Sequence, residues 1–306
     1  SSQRRTMMRT GAAASVVWTC IILTVQTLRQ THGWITIRSS TPGRRASNAS
    51  RSTLHGAGRS NVVLEPSHGN AGAFDNLKIG NARVHRYEAS GDTTEYVMWY
   101  HGRSADLNAQ NLPPLSTGRI GRAVSRNGLV WEKDTVCSAS EDVNDVSLGL
   151  NQESWWGFDT THVGLGNVLL PMQTPAVAAE GGVYLMYYFG GTGDESPVVD
   201  YMGDVDNVPD HLKGAKIQGM HMRIGVALSQ DGITWGRVEG DDPTGACVVP
   251  DASELYCAWP EVIVDDKVKT DNFRMYYSTM TSDTKEKAIG FAVSSDGFRW
   301  ERSEER

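Results

Sequence analysis

The sequence predicts an all-β fold of the propeller type with about three blades visible, and three repeated features carry that prediction. The first is a phrase written three times: Ile120-Gly-Arg-Ala-Val-Ser-Arg-Asn-Gly-Leu-Val-Trp131, Ile224-Gly-Val-Ala-Leu-Ser-Gln-Asp-Gly-Ile-Thr-Trp235 and Ile289-Gly-Phe-Ala-Val-Ser-Ser-Asp-Gly-Phe-Arg-Trp300. The second is an aromatic run upstream of each copy, Tyr96–Tyr100, Val183–Phe189 and Phe273–Tyr277. The third is Phe74-Asp75, echoed by Phe158-Asp159, with Tyr256-Cys-Ala-Trp-Pro-Glu261 at the corresponding place before the last run. Repeats at this spacing mark a supersecondary unit used several times over.

Each phrase is a short alternating apolar run, then Asn-Gly or Asp-Gly, then a second run ending in Trp, which is the sequence pattern of a β-hairpin. The runs before them are β-branched and aromatic with little polar alternation, so they read as strands buried on both faces. With the segment ahead of each run this makes about four strands per unit, the content of a propeller blade. The blades fall at about 74–136, 158–249 and 251–306. The acidic, polar stretch from Cys137 to Trp156 reads as a long surface connection, and Gly193 to Met220 as an insertion within the second blade. Asn61-Val-Val-Leu-Glu65 could form one further strand. Three blades do not close a ring, so the pattern points to blades beyond those visible here.

Charge divides the chain. Residues 1–64 hold nine Arg, no Lys and no acidic residue, leaving 20 basic against 36 acidic residues in 65–306, a formal charge of −16. An acidic body is a poor partner for nucleic acid or an anionic membrane. The first 64 residues read as a targeting leader: Arg9, then uncharged Thr10 to Leu28 around an apolar centre, then a basic, acid-free tail rich in Ser and Thr. Secretory entry is expected, either to the outside or to a plastid through a bipartite leader, with a type II membrane anchor as the alternative. No other membrane contact is expected, and the oligomeric state is left open. Cys20 lies in the leader. Of Cys137, Cys247 and Cys257, the last two could close one small loop, but buried thiols are the favoured state, and the spacing fits no zinc site.

The hairpin phrase, the Met-Tyr-Tyr strand before it and a carboxylate at the head of each innermost strand resemble the arabinanase, levansucrase and invertase superfamily of glycosidases over residues 65–306. That resemblance implies a five-bladed β-propeller of which this chain shows about three blades. It also implies glycosidic cleavage by carboxylates that meet in the central funnel. Carried over by position, Asp75 is the base or nucleophile, Asp159 the orienting carboxylate and Glu261 the general acid, whose Trp259-Pro260 flank would favour its protonated form. One carboxyl must protonate the leaving oxygen while another serves the opposite face of the sugar. The invertase boxes Asn-Asp-Pro-Asn, Arg-Asp-Pro and Glu-Cys are absent, which argues against sucrose or fructan as substrate.

Further candidates for the substrate site are His162, which stands where Lys78 stands in the first copy, and the aromatic residues Trp155, Trp156 and Trp259, whose faces suit sugar rings. Lys78 and Arg83 raise a phosphorylase alternative, in which basic side chains hold phosphate as the nucleophile. A third reading is a propeller that binds glycan or protein without catalysis. No cofactor is required, no metal site is written in the sequence, and a structural calcium in the channel would fit the family. Asn127, Asp231 and Asp296 read as turn residues, and Trp131, Trp235 and Trp300 as packing between blades.

Overall fold

The structure is a computed structural model, which describes residues 61–89, 93–105, 117–135, 145–170, 182–202, 210–265, 267–268 and 270–302. The leader with Cys20, and Cys137 in the first connection, lie outside the described residues. Three antiparallel four-strand units follow one another along the chain. The first runs β1 (Lys78–Ala89), β2 (Thr93–Arg103), β3 (Gly118–Ser125) and β4 (Glu132–Lys133), with β5 (Val146–Leu148) added to β3. The second sheet is built from β6 (His162–Leu169), β7 (Tyr184–Gly191), β10 (Arg223–Ser229) and β11 (Gly236–Val238). The third holds β12 (Glu254–Val264), β13 (Phe273–Thr281), β14 (Lys287–Ser294) and β15 (Glu301–Arg302). The insertion in the second blade contains a small hairpin, β8 (Glu195–Pro197) with β9 (Lys216–Gln218). Sequential four-stranded antiparallel sheets, each packed on the next, are blades of a β-propeller.

The repeated phrase makes the turn between the third and fourth strands of every blade, though not with its whole length. In each turn the Asx side chain accepts two successive backbone N–H groups: Leu129 and Val130 for Asn127, Ile233 and Thr234 for Asp231, Phe298 and Arg299 for Asp296. The serine five residues after the isoleucine that opens the repeat closes the turn by accepting the glycine N–H, at 2.9, 2.8 and 2.8 Å for Ser125, Ser229 and Ser294. Residues whose N–H groups are spent on the Asx oxygen cannot enter the ladder, so strand pairing resumes only after Trp131, Trp235 and Trp300. The second strand of the hairpin therefore follows the tryptophan instead of ending on it. Gly128, Gly232 and Gly297 hold φ of +71°, +70° and +81°, a region that glycine enters without steric cost.

These turns predict an acid response. Burial raises the Asp231 carboxyl, but the Thr234 and Ile233 N–H groups and the Ser229 hydroxyl outweigh it and hold it below its ordinary value. A carboxyl depressed in the folded chain contributes stability above its unfolded pKa, about 4, and loses it as pH falls through the lower folded value. Asp231→Asn keeps the acceptor without the charge, as Asn127 does in the first blade. It is expected to flatten the decline of melting temperature on acidification below about pH 4, from a neutral value lowered by what the charge contributed; an acid slope equal to that of the wild type would refute the assignment.

Two further expectations are corrected. The connection after the first blade contains a buried strand: Leu148 pairs with Ile120 and Val146 with Gly121, because Val146 and Leu148 are apolar and β3 is open beyond its short pairing with β4. The 61–65 segment forms no strand; Leu64 instead packs against a small core of Phe74, Met98, Tyr100, Ala123 and Val146. The central strands are buried on both faces in the first two blades, whereas β13 alternates and leaves Tyr276 exposed. Cys247 and Cys257 are free thiols, and burial pushes the Cys257 thiol up, which makes it a packing residue. Among the described residues no helix is long and apolar enough to cross a membrane.

Candidate functional site

The geometry divides the predicted site residues into two groups. Asp75 and Asp159 are both buried, each three residues ahead of its innermost strand, and both do the same work. Asp75 accepts from the Tyr100 hydroxyl at 3.0 Å and pairs with Lys133 at 2.6 Å. Asp159 accepts from the Tyr188 hydroxyl at 2.9 Å and pairs with Arg237 at 2.6 Å. Lys133 and Arg237 stand on or beside the outermost strands β4 and β11, so each carboxylate fastens the segment entering a blade to that blade's far edge.

The third blade repeats this clamp with a residue that the sequence pattern does not align. Glu254 accepts from the Tyr277 hydroxyl at 3.0 Å and pairs with Arg302, on β15, at 2.9 Å. In all three blades the clamp tyrosine lies opposite the glycine of the repeated Ile-Gly: Tyr100 with Gly121, Tyr188 with Gly225, Tyr277 with Gly290. A β-carbon would collide first with the Phe74 ring at Gly121, with the Phe158 ring at Gly225 and with the Tyr277 ring at Gly290. The structural counterpart of Asp75 and Asp159 is therefore Glu254, and Glu261 occupies a different place.

That place is marked by a bulge. Each innermost strand slips register at a matching point, between Gly80 and Arg83 on β1, between Leu165 and Asn167 on β6, and between Ala258 and Glu261 on β12, which also slips once earlier, between Glu254 and Cys257. Asn81 and Trp259, within two of these bulges, both hold φ of +49°. Bulges re-aim the side chains that follow them. The residues that follow are Arg83, Asn167 and Glu261, which pair across the ladder with Trp99, Tyr187 and Tyr276 and so occupy one equivalent position in the three blades.

They converge. Arg83 donates Nε to the Gly166 carbonyl at 2.8 Å and forms an ion pair with Glu261. Asn167 donates to the Val262 carbonyl at 2.8 Å, accepts from the Val262 N–H at 3.3 Å, and points its amide toward Glu261 Oε1 at 3.5 Å. Asn81 donates to the Leu165 carbonyl. Gly166 has no side chain because Pro260 packs directly against it. Residues 83–85, 167–169 and 261–264 line a cavity of about 500 Å³ where the three inner strands meet. The Glu261 and Arg83 side chains are 46% and 34% exposed. The Trp259-Pro260 flank thus does not desolvate Glu261, which is paired and reachable from solvent. Val84, Val168 and Ile263 supply the apolar wall. His85 lies edge-on to Trp99 at 5.4 Å, and burial, partly offset by a hydrogen bond with Val168, lowers its pKa, which favours the neutral ring.

Of the residues singled out in the sequence, the structure brings Arg83 and Glu261 together and leaves the others elsewhere. Asp75 and Asp159 do not line this cavity. Eight residues of mostly extended chain separate Asp159 from Asn167, roughly 20 Å at the rise of a strand. His162 is fully buried, donating Nε2–H to the Gly219 carbonyl at 2.7 Å, and its Nδ1 has no partner among the described residues. Burial, with Arg103 and Arg119 nearby, lowers its pKa to about 4 against the opposing Gly219 hydrogen bond. It is a packed neutral histidine. Lys78 is exposed at the start of β1, and among the described residues no lysine or second arginine on the cavity lining joins Arg83 to hold phosphate. Trp155, 85% exposed, and Trp156 stand edge to face at 5.8 Å on the loop before Asp159. Trp259 packs against Phe189 at 4.8 Å. None of the three lines the cavity. Among the described residues no three His, Cys, Asp or Glu side chains stand close enough to hold a metal ion.

Asn167, Asn81 and His85 were not singled out by the sequence pattern. One signal was present: Arg83 and Asn167 each follow the aspartate of their Phe-Asp pair by eight residues.

No family model and no curated protein sequence matches the chain. Eighteen chains of solved structures match it in fold. One, described as a glycoside hydrolase, is 17% identical, with 74% of this chain and 57% of that one covered and a TM-score of 0.44. A sucrose-6-phosphate hydrolase from Lactobacillus gasseri is 10% identical, with 68% and 31% covered and a TM-score of 0.41. A β-fructofuranosidase from Bombyx mori is 15% identical, with 68% and 32% covered and a TM-score of 0.34. The chain spans less than two thirds of the length of each.

Proposed function

We propose that the cavity between the inner strands is a glycan site and that the chain is a propeller of the glycosidase type which recognises a neutral glycoside there. The observation that carries this reading is the convergence of Arg83, Asn167 and Glu261, one from each blade, each placed by a bulge at the same ladder position. A guanidinium, an amide and a carboxylate beside an apolar wall offer donors and acceptors to vicinal hydroxyls and a surface to the C–H face of a ring. The substrate class comes from the resemblance of the repeated phrase to the arabinanase, levansucrase and invertase superfamily. A bound sugar would replace part of the Arg83 and Glu261 pairing with its own hydroxyls.

Hydrolysis by the same site is the second reading, and the position of Glu261 favours it, because a carboxyl group that reaches a sugar cavity can exchange a proton with a glycosidic oxygen. Cleavage needs a second carboxyl group within about 10 Å, and the described lining supplies Glu261 alone, so binding is the function that the geometry supports best. In this reading Asp75 and Asp159 each fasten the entering segment of a blade to the far edge of the same blade.

The test is calorimetric titration and reducing-end release with a panel of neutral furanosides and pyranosides, using wild type and Glu261→Gln. Loss of a charged hydrogen-bond partner is expected to weaken binding by about 10–100-fold. Unchanged affinity in Glu261→Gln would remove the cavity from consideration. Turnover by the wild type that falls by about 10²–10⁴-fold in Glu261→Gln would establish the hydrolase reading over simple binding.

A further inference from the structure

A second set of polar side chains gathers where β2 ends and where β3 and β6 begin, and all of them are basic: His101 and Arg103 on β2, Arg119 on β3 and His162 on β6. The two imidazoles are buried against one phenyl ring, Phe189, each with its centroid 6.1 Å from it. Arg103 is half-buried and donates Nε–H to His101 Nε2 at 3.1 Å. Arg119 is buried and donates Nη1–H to the Gly118 carbonyl at 2.9 Å. None of the four lines the cavity between the inner strands, and His162 precedes Asn167 by five strand residues, roughly 16 Å.

The hydrogen bonds fix the remaining capacity of each ring. His101 accepts at Nε2, so its neutral ring carries the proton on Nδ1 and offers it as a donor. His162 gives its Nε2–H to the Gly219 carbonyl, so its Nδ1 is an acceptor, and that buried atom has no partner among the described residues. Both rings are neutral: burial, with Arg103 and His162 nearby, lowers the His101 pKa to about 3, and burial lowers that of His162 as well. Burial also works against the Arg103 charge, and among the described residues no carboxylate pairs with it. Asp75 and Asp159, the aspartates leading into these two blades, are committed to Lys133 and Arg237. A guanidinium drawn partly out of water without a counter-ion and a buried imine nitrogen without a donor are both costs that a ligand of the right chemistry relieves.

We propose that this cluster binds a phosphate group that still carries a proton. The phosphate oxygens accept from the Arg103 guanidinium and from His101 Nδ1–H, and the phosphate O–H donates to His162 Nδ1. Arg119 adds a second positive charge within electrostatic reach of His162. The ligand follows from the combined demand for negative charge and a donor: sulfate brings charge and acceptors but no O–H at neutral pH. Inorganic phosphate keeps an O–H throughout the neutral range, whereas a phosphate monoester loses its own above a second pKa of about 6. The site is separate from the glycan cavity and stands whether or not a glycan binds there.

Isothermal titration of the full chain with sodium phosphate, sodium sulfate and glucose 1-phosphate at constant ionic strength, with Arg103→Gln as the variant, tests this. Phosphate is expected to bind wild type at least about tenfold more tightly than sulfate, the effect of the one hydrogen bond that sulfate cannot make. That ratio is read on wild type alone and does not depend on how any variant folds. Arg103→Gln is expected to weaken phosphate by about 10–100-fold without lowering the melting temperature measured in its absence. Glucose 1-phosphate that binds at about pH 5.5 and loses about tenfold by about pH 7.5 would identify a monoester as an accepted source. Binding of inorganic phosphate alone would restrict the site to the free ion. No phosphate binding at about 10 mM, equal affinity for phosphate and sulfate, or unchanged affinity in a folded Arg103→Gln would each overturn the proposal.

Discussion

Asp159→Ala is expected to destabilise the folded chain by about 3–5 kcal/mol, the cost of removing one partner from a buried ion pair. The reason lies in what remains. Asp159 is inaccessible to solvent, and its Oδ2 receives both the Arg237 guanidinium and the Tyr188 hydroxyl. Arg237 cannot simply turn outward, because its other arm donates to the Gly149 carbonyl at 2.6 Å. Truncation would leave a guanidinium and a phenol facing a small void. The close approach of Asp159 Cβ to Gly190, where a β-carbon would stand at 2.6 Å, shows how little room exists for repacking. Asp75→Ala should cost less, since the Lys133 ammonium rides on a flexible stem that can reach water. For a domain of this size the Asp159→Ala loss corresponds to a fall in melting temperature on the order of 10 °C. Calorimetric unfolding of the two variants checks the sign and the order; a melting temperature unchanged in Asp159→Ala would refute the clamp and return this aspartate to the list of catalytic candidates.

The second large effect is expected at the seam between the first two blades, where Trp99→Ala should cost about 3–5 kcal/mol. Trp99 is buried among His85, Tyr184 and Trp235, with ring centroids at 5.4, 6.1 and 6.2 Å. Its indole N–H is the donor that holds the turn of the second blade. Removing the ring loses apolar burial, opens a cavity and leaves the Gly232 carbonyl without this partner. Trp99→Phe separates the contributions: it restores most of the packing without the donor, so the difference between the two variants isolates the ring, and the residual loss of about 1 kcal/mol is the hydrogen bond. Denaturant midpoints measured for the pair decide the matter. Equal losses in both would mean that the hydrogen bond, not the packing, carries the seam.

How much of this was legible in the sequence depends on the range of the interaction concerned. The blades, their order and their strands are written in short-range patterns: the Asx-Gly turns are set by hydrogen bonds between residues two or three apart, and the aromatic runs by their own β preference. Even the clamp left a trace, since Phe74-Asp75 and Phe158-Asp159 repeat because each phenyl ring and carboxylate must cross the same glycine-floored strand pair. That trace misled where local similarity stopped. The third blade makes its clamp with Glu254 and has no Phe-Asp, so pattern alone aligned Glu261 with two aspartates that it does not resemble in space.

Only the tertiary structure could decide where the polar groups meet. Arg83 and Glu261 are 178 positions apart, and what joins them is the packing of one inner strand on the next, with a bulge of one extra residue in each. A single inserted residue reverses which face a side chain takes, so a carboxylate's distance from a motif does not fix its direction. The sequence by itself determined that this chain folds as repeated four-stranded blades, because that information is local and written three times. The tertiary structure alone decided which carboxylates are clamps and which one reaches the cavity, because burial and pairing there are set by residues that neighbour one another only after the blades have packed.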